Sequence, residues 1–299
     1  MALSSDDVVK IARLARLRVS EAERGAVQGQ LNGIFDLIEA MRAVDTAGVE
    51  PMAHPQDAAL RLRADARADA LQLALSGSAR KAGTRWAGTL ARLYTPARYL
   101  FHTVQMASAY VGQVSPASTI TNCNYFQMAD SLRWVSHTAY RTRELSQVFT
   151  DKGFGIDERR YWEQDPAWQG FRELMEKALT VWDWGEAIVV LNLVVMPAVE
   201  EAVLHRLGEA ARHNGDTLLG LLTDAQLIDA ARHRRWLAAL VRMASETPGN
   251  LELIQGWIAK WEPLADQAID AYCAALPDVP EAAASARAAT RDFRRSLGL

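Results

Sequence analysis

Apolar positions along the chain recur every three to four residues and almost nowhere every second one, which is the period of helices packed on one face. Long stretches with this period cover roughly 86–112, 121–149, 157–179, 181–206, 216–246, 250–275 and 281–297. Turn signals separate them at Ser115-Pro116, Gly153-Phe154-Gly155, Asn214-Gly215-Asp216 and Pro248-Gly249-Asn250. Strand alternation is missing, and Asn32-Gly33 and Asn214-Gly215 sit in or between helical patterns rather than between strands. The expectation is an all-α chain whose C-terminal part is a helical bundle. Pro263 falls inside one helical pattern and predicts a kink or a restart there.

The head has a different texture. Ser4 with Asp7, and Ser20 with Glu23, have the spacing of capping boxes opening two helices. The second helix carries an apolar stripe of Val27, Leu31, Ile34, Leu37 (or Phe35), Ile38 and Met41, with Gly25, Gly29 and Gly33 four apart on one side. Each interior glycine costs about 1 kcal/mol relative to alanine. The row reads either as a close approach by another backbone or as a poorly optimised helix. From Thr46 to Pro55 the chain turns extended, and two helices with such a strap form little core of their own. Residues 60–85 begin rich in Ala, Arg and Asp and pass into small residues, with Ser76 to Thr84 as a linker. This gives three parts: a helical belt over 1–66, a linker over 67–85, and a bundle over 86–299.

At 49% hydrophobic residues in 299, the chain can bury a sizeable core. A net charge of −3 gives no basic excess for direct contact with nucleic acid or a membrane surface. The longest apolar run, Ala187 to Val199, is broken by Asn192 and is shorter than the ~20 residues of a membrane span, so it reads as a buried helix. The first residues lack the basic and apolar regions of a signal peptide, and cytoplasmic localisation is expected. Cys123 and Cys273 are about 150 positions apart and read as reduced thiols.

A bundle of this size invites a test for a di-iron carboxylate centre, which draws a Glu-x-x-His from each of two helices and a Glu from each of two others. The six histidines are at 54, 102, 137, 205, 213 and 233, and the residues three before them are Pro51, Tyr99, Trp134, Ala202, Ala210 and Ala230. None is acidic, so no conventional di-iron site is expected. Glu201/His205, Glu209/His213 and Asp229/His233 are spaced four apart and read as helix-surface pairs. The arginines of 141–143, 159–160 and 232–235 read as solvated faces, with interface ion pairs as the alternative. Trp182, Trp184, Trp257 and Trp261 read as core or interface anchors. No nucleotide loop, nucleophile elbow or zinc-protease motif occurs.

Several blocks resemble the β subunit of toluene monooxygenase hydroxylases. They are Leu93 to His102, Ser115 to Asn122, Ala129 to Trp134, His137 to Leu145, Asp165 to Gly170, Trp182 to Ala187, Gly215 to Leu219, Ala231 to Trp236 and Lys260 to Asp266. The resemblance runs from about Trp86 to Leu299. It implies a ferritin-like bundle without metal, no catalytic or cofactor-binding residue in this chain, and a di-iron centre in a partner α subunit, with a small γ subunit completing the assembly. An α-type helix of that family would read Asp-Glu-x-Arg-His where this chain has Asp130-Ser131-Leu132-Arg133-Trp134 and Asp229-Ala230-Ala231-Arg232-His233. On this alignment Ser131, Trp134, Ala230 and His233 occupy ligand positions, and Gln105 and Asp183 those of the solitary carboxylates. Trp134 is then expected to fill volume that metals occupy elsewhere.

Val8 to Leu17, Gln30 to Ile34 and Asp45 to His54 resemble the C subunit of the aspartyl/glutamyl-tRNA amidotransferase. That resemblance covers about residues 1–66 and implies a non-catalytic belt over the A and B subunits of that amidotransferase. The chain thus reads as a fusion, natural or recombined, with two alternatives: a scaffold subunit of an aromatic monooxygenase, or an amidotransferase C subunit carrying a tail.

Overall fold

The computed structural model describes residues 4–14, 19–42 and 83–299, and among these there are helices and no strand. The chain divides into two compact units, 1–59 and 60–299. In the first, α1 (Ser5–Leu14) and α2 (Glu21–Arg42) open on the two anticipated capping boxes. The Ser4 and Ser20 hydroxyls donate to Asp7 and Glu23 at 2.6 and 2.7 Å, and their backbone N–H groups donate to the same carboxylates at 3.1 and 2.9 Å. These bonds hold both carboxyls below their ordinary values. A methyl group at Gly25, Gly29 or Gly33 would meet nothing within 4 Å, so nothing among the described residues requires the glycine row. The strap and nearly all of the linker lie outside the described residues, as do the side chains of the outer part of the α2 apolar stripe.

The second unit contains α3 (Thr84–Thr89), which continues through a π turn at Leu90–Tyr94, then α4 (Ala97–Val114), α5 (Ser118–Val148), α6 (Glu158–Gln164) and α7 (Pro166–Ala178). Next come α8 (Trp184–His213), α9 (Thr217–Ser245), α10 (Asn250–Ala274) and α11 (Ala282–Ser296). Helix α8 is long and apolar enough to cross a membrane by composition, yet its apolar window is wholly buried. It is apolar all round because it is surrounded, with α9, α10 and α11 packed on it.

Departures from regular α geometry in this unit have identifiable causes. Pro197 has no N–H to give to the carbonyl of Leu193, which instead accepts from Arg294 Nη1 at 3.1 Å, and π-helical stretches lie on either side at Val190–Val195 and Val199–Arg206. In the early π turn, backbone carbonyls left over by the wider winding are taken by buried aromatics: Tyr272 Oη donates to Leu93 and Trp168 Nε1 to Arg92, at 2.9 and 2.8 Å. Of the two outcomes expected at Pro263, the restart does not occur, because α10 runs through it without ending. Pro263 and Ala259, whose carbonyl loses its donor, are both on the exposed side of the helix.

One close approach and one capped turn help to fix the packing. A methyl group on Gly170 of α7 would lie 2.5 Å from Ala268 Cα of α10, so that crossing admits only glycine. At the α8–α9 turn, Gly215 takes φ 72° and Asp216 caps α9 by accepting from Leu219 N–H at 3.2 Å. Asp216 also accepts from Trp86 Nε1 at 3.0 Å and pairs with Arg141 Nη2 at 2.7 Å. Arg141 is completely buried, so it is a structural ion-pair partner and not part of a solvated face as its sequence context suggested.

Candidate functional site

The two five-residue segments with altered ligand positions face each other where α5 crosses α9, and their bonding is reciprocal. Asp130 accepts from Arg133 on its own helix at 3.1 Å and from Arg232 across the crossing. Asp229 accepts from Arg232 on its own helix at 3.3 Å and from Arg133 across. The fifth residue of each segment completes the exchange: His233 Nε2 bonds Asp130 at 2.8 Å, and Trp134 Nε1 donates to Asp229 at 3.1 Å. Asp-x-x-Arg spacing makes this possible, because positions three and four apart share a helix face.

Both carboxylates are almost fully buried. Burial alone would raise the Asp130 carboxyl, but the hydrogen bonds and charges of His233 and Arg232 outweigh it and hold the group below its ordinary value. A second layer lies on α8 and α9. Arg234 Nε donates to Glu200 at 2.6 Å and its Nη2 to Glu201 at 3.0 Å. Burial pushes the Glu200 carboxyl up, against the pull of Arg234.

The sequence-derived positions are only partly brought together. Trp134 and His233 join the cluster as described, and Trp134 also packs edge-on against Phe101 with ring centroids 5.5 Å apart. Its role is therefore polar as well as space-filling. Ser131 is buried and its hydroxyl turns back to the Gln127 carbonyl at 2.9 Å, while Ala230 is buried without polar atoms to offer. Gln105 is half-buried on α4, one turn after the Phe101 that packs on Trp134, and is not among the donors to the two carboxylates. Asp183 does not reach the cluster, because it is exposed and caps α8 by accepting from Glu186 N–H at 2.9 Å.

Asp229/His233 is not a helix-surface pair, because each side chain is buried and bonded to other groups. Glu201 is likewise buried, against the surface reading, and faces Arg234 rather than His205. Sequence reasoning misses Glu200 and Glu201 as core acids; the signal available is two adjacent glutamates inside an otherwise apolar run. Of the tryptophans, Trp261 is a core residue donating to Glu186 at 2.7 Å, whereas Trp182 is 90% exposed. Cys123 and Cys273 are free thiols.

Di-iron binding would need carboxylate oxygens free to bind metal. Asp130 and Asp229 instead accept from two guanidinium groups, an imidazole and an indole, and the added positive charge of a metal would sit against Arg133 and Arg232. Among the described residues no three His, Cys, Asp or Glu side chains converge as a metal site. The residues present do not fit the group.

This geometry, a ferritin-like bundle with ion pairs at its centre, defines the class. The model of the methane/phenol/alkene hydroxylase family matches residues 63–248, more than half of the chain, and the chain belongs to that family. It is 59% identical over 191 residues to the hydroxylase component subunit beta of the toluene-4-monooxygenase system of Ectopseudomonas mendocina, covering 64% of this chain and 58% of that relative's length. A solved structure of toluene 4-monooxygenase with toluene in its resting active site superposes with TM-score 0.69 at 53% identity, over 71% of each chain. Phenol hydroxylase from Pseudomonas sp. OX1 shares the fold, with TM-score 0.70 at 22% identity over 78% of this chain and 73% of its own. The model of the Glu-tRNAGln amidotransferase C subunit matches residues 19–80. Over 65 residues the chain is 66% identical to the C subunit of the aspartyl/glutamyl-tRNA(Asn/Gln) amidotransferase of Chromobacterium violaceum, which is 22% of this chain and 68% of that protein.

Proposed function

We propose that the bundle is a non-catalytic structural subunit of a multicomponent aromatic monooxygenase hydroxylase, supporting a separate iron-bearing α subunit, with a small γ subunit in the same assembly. The observation that carries this reading is the saturation of Asp130 and Asp229 by donors of the chain itself. The surface supports it as well. Leu132 and Tyr140 of α5 and Ile228 of α9 are each about half exposed on the two helices that hold the cluster, and apolar side chains in such numbers mark protein contact surfaces. In this reading the chain binds neither metal nor cofactor and works in the cytoplasm, and the di-iron chemistry belongs to the partner.

The test is co-expression with the α and γ subunits of a toluene monooxygenase. Co-purification with α and restored toluene oxidation are expected, with iron present only when α is present. Stoichiometric iron in the chain purified alone, or oxygen-dependent oxidation by it, overturns the proposal.

The identity of the N-terminal residues supports a second reading, in which they act as the C subunit of the tRNA-dependent amidotransferase, stabilising its A and B subunits, with the bundle as a fused passenger. Complementation of a strain lacking the C subunit by the full chain is its expected result, and failure to complement refutes it.

A further inference from the structure

A pocket of about 280 Å³ is sunk between the start of α8, the end of α9 and the start of α10. Its inner surface is aliphatic and buried, with Ile188, Val189, Val241 and Ile254, and the indole of Trp257 forms one wall. Gly185 sets that wall: a methyl group there would stand 3.1 Å from the Trp257 ring, so the bare backbone lets the indole lie against it. Two of the polar groups at the mouth are already engaged. Asp183 Oδ1 accepts from Glu186 N–H at 2.9 Å, and Asn250 Nδ2 donates to the Ala244 carbonyl at 3.0 Å. One residue before Asp183, Trp182 is held 90% exposed while its carbonyl accepts from the Tyr110 hydroxyl at 3.1 Å.

We propose that this pocket is a binding site for a small neutral aromatic hydrocarbon of one ring, separate from any chemistry in a partner chain. A dry apolar cavity of about 150 Å³ suffices to bind benzene, so the volume here accepts a ring with a short substituent. An aliphatic interior with no directed donor or acceptor selects against polar ligands, because their polar groups would lose hydrogen bonds to water without replacement. The Trp257 face favours an aromatic over an aliphatic guest through offset or edge contacts. The Asp183 carboxylate at the mouth disfavours anions.

The experiment is a titration of the full chain with benzene, followed by tryptophan fluorescence and by melting temperature, with benzoate as the charged counterpart. Saturable benzene binding and a raised melting temperature are expected, with no response to benzoate. Ala244→Phe, which fills the pocket from α9, is expected to weaken benzene binding at least tenfold while melting cooperatively without ligand. If that variant does not fold, Leu240→Phe fills the same space from the next turn. No saturable binding up to the solubility of benzene, undiminished binding in a folded filled variant, or equal binding of benzoate each overturns the proposal.

Discussion

Replacing Asp130 with asparagine keeps the side-chain volume and removes the charge that two guanidinium groups and an imidazole share. Asp130 accepts from Arg133, Arg232 and His233. Arg232 is about one-third exposed at its side chain and can turn to water, so most of its contribution is recovered. Arg133 is largely enclosed, with a side-chain exposure of 15%, and keeps Asp229 as its one remaining carboxylate, while His233, with an exposure of 4%, is left facing a neutral amide. Hydrogen bonds to charged groups contribute roughly 1.5–3 kcal/mol each and breaking a buried pair costs about 3–5 kcal/mol, so a loss of about 3 kcal/mol is expected at pH 7. With a urea dependence of roughly 3 kcal/mol per molar for a unit of this size, the unfolding midpoint falls by about 1 M. Urea unfolding followed by tryptophan fluorescence measures it directly, since Trp134 lies in the cluster. Folding lowers the Asp130 carboxyl below 3.8, so its stabilisation is full above that value and is lost as pH falls through the lower folded value. The gap between wild type and Asp130→Asn is therefore expected to narrow below pH 3.8. A midpoint shift under about 0.3 M at pH 7, equivalent to roughly 1 kcal/mol, would refute the account of these carboxylates as the electrostatic centre of the bundle.

Three further outcomes follow from the same structure. Asp216→Ala removes the partner of fully buried Arg141, the acceptor of Trp86 and the cap of α9, and is expected to cost about 3–5 kcal/mol in the same urea assay. Gly170→Ala drives a methyl group into the Ala268 backbone and is expected to cost about 1–3 kcal/mol, seen as a lower melting temperature, whereas Gly256→Ala, with open space around it, is expected to leave that temperature unchanged or raise it. Burial pushes the Cys273 thiol up to about 12, so a thiol-specific disulfide reagent at pH 8 should label it only after denaturation; rapid labelling of the native chain at Cys273 would contradict its placement.

The bundle was legible because its helices are long and their apolar faces regular. All seven predicted stretches are largely helical, but 86–112 is interrupted at Thr95-Pro96 and 157–179 at Asp165, and the turn at Asn214-Gly215-Asp216 carries its own chemistry in a positive-φ glycine and a capping aspartate. The capping boxes of α1 and α2 were equally legible, since both partners of each lie within three residues. At Pro263 the sequence left a kink or a restart open, and the continuous α10 removes the restart. Asp183 lies apart from the cluster as the cap of α8, because linear alignment fixes a residue's helix but not its distance from a crossing.

By itself the sequence determined the helical class, most of the break positions and the absence of any acidic residue three positions before a histidine, because each of these rests on residues a few positions apart. Only the tertiary structure decided where the charge goes. Arg133 and Asp229 are 96 positions apart, and Arg232 and Asp130 are 102 apart. Nothing local says whether an arginine beside an acid lies in water or in the core. The crossing of α5 and α9 settles it, because low-dielectric surroundings allow these charges to persist only as mutual partners.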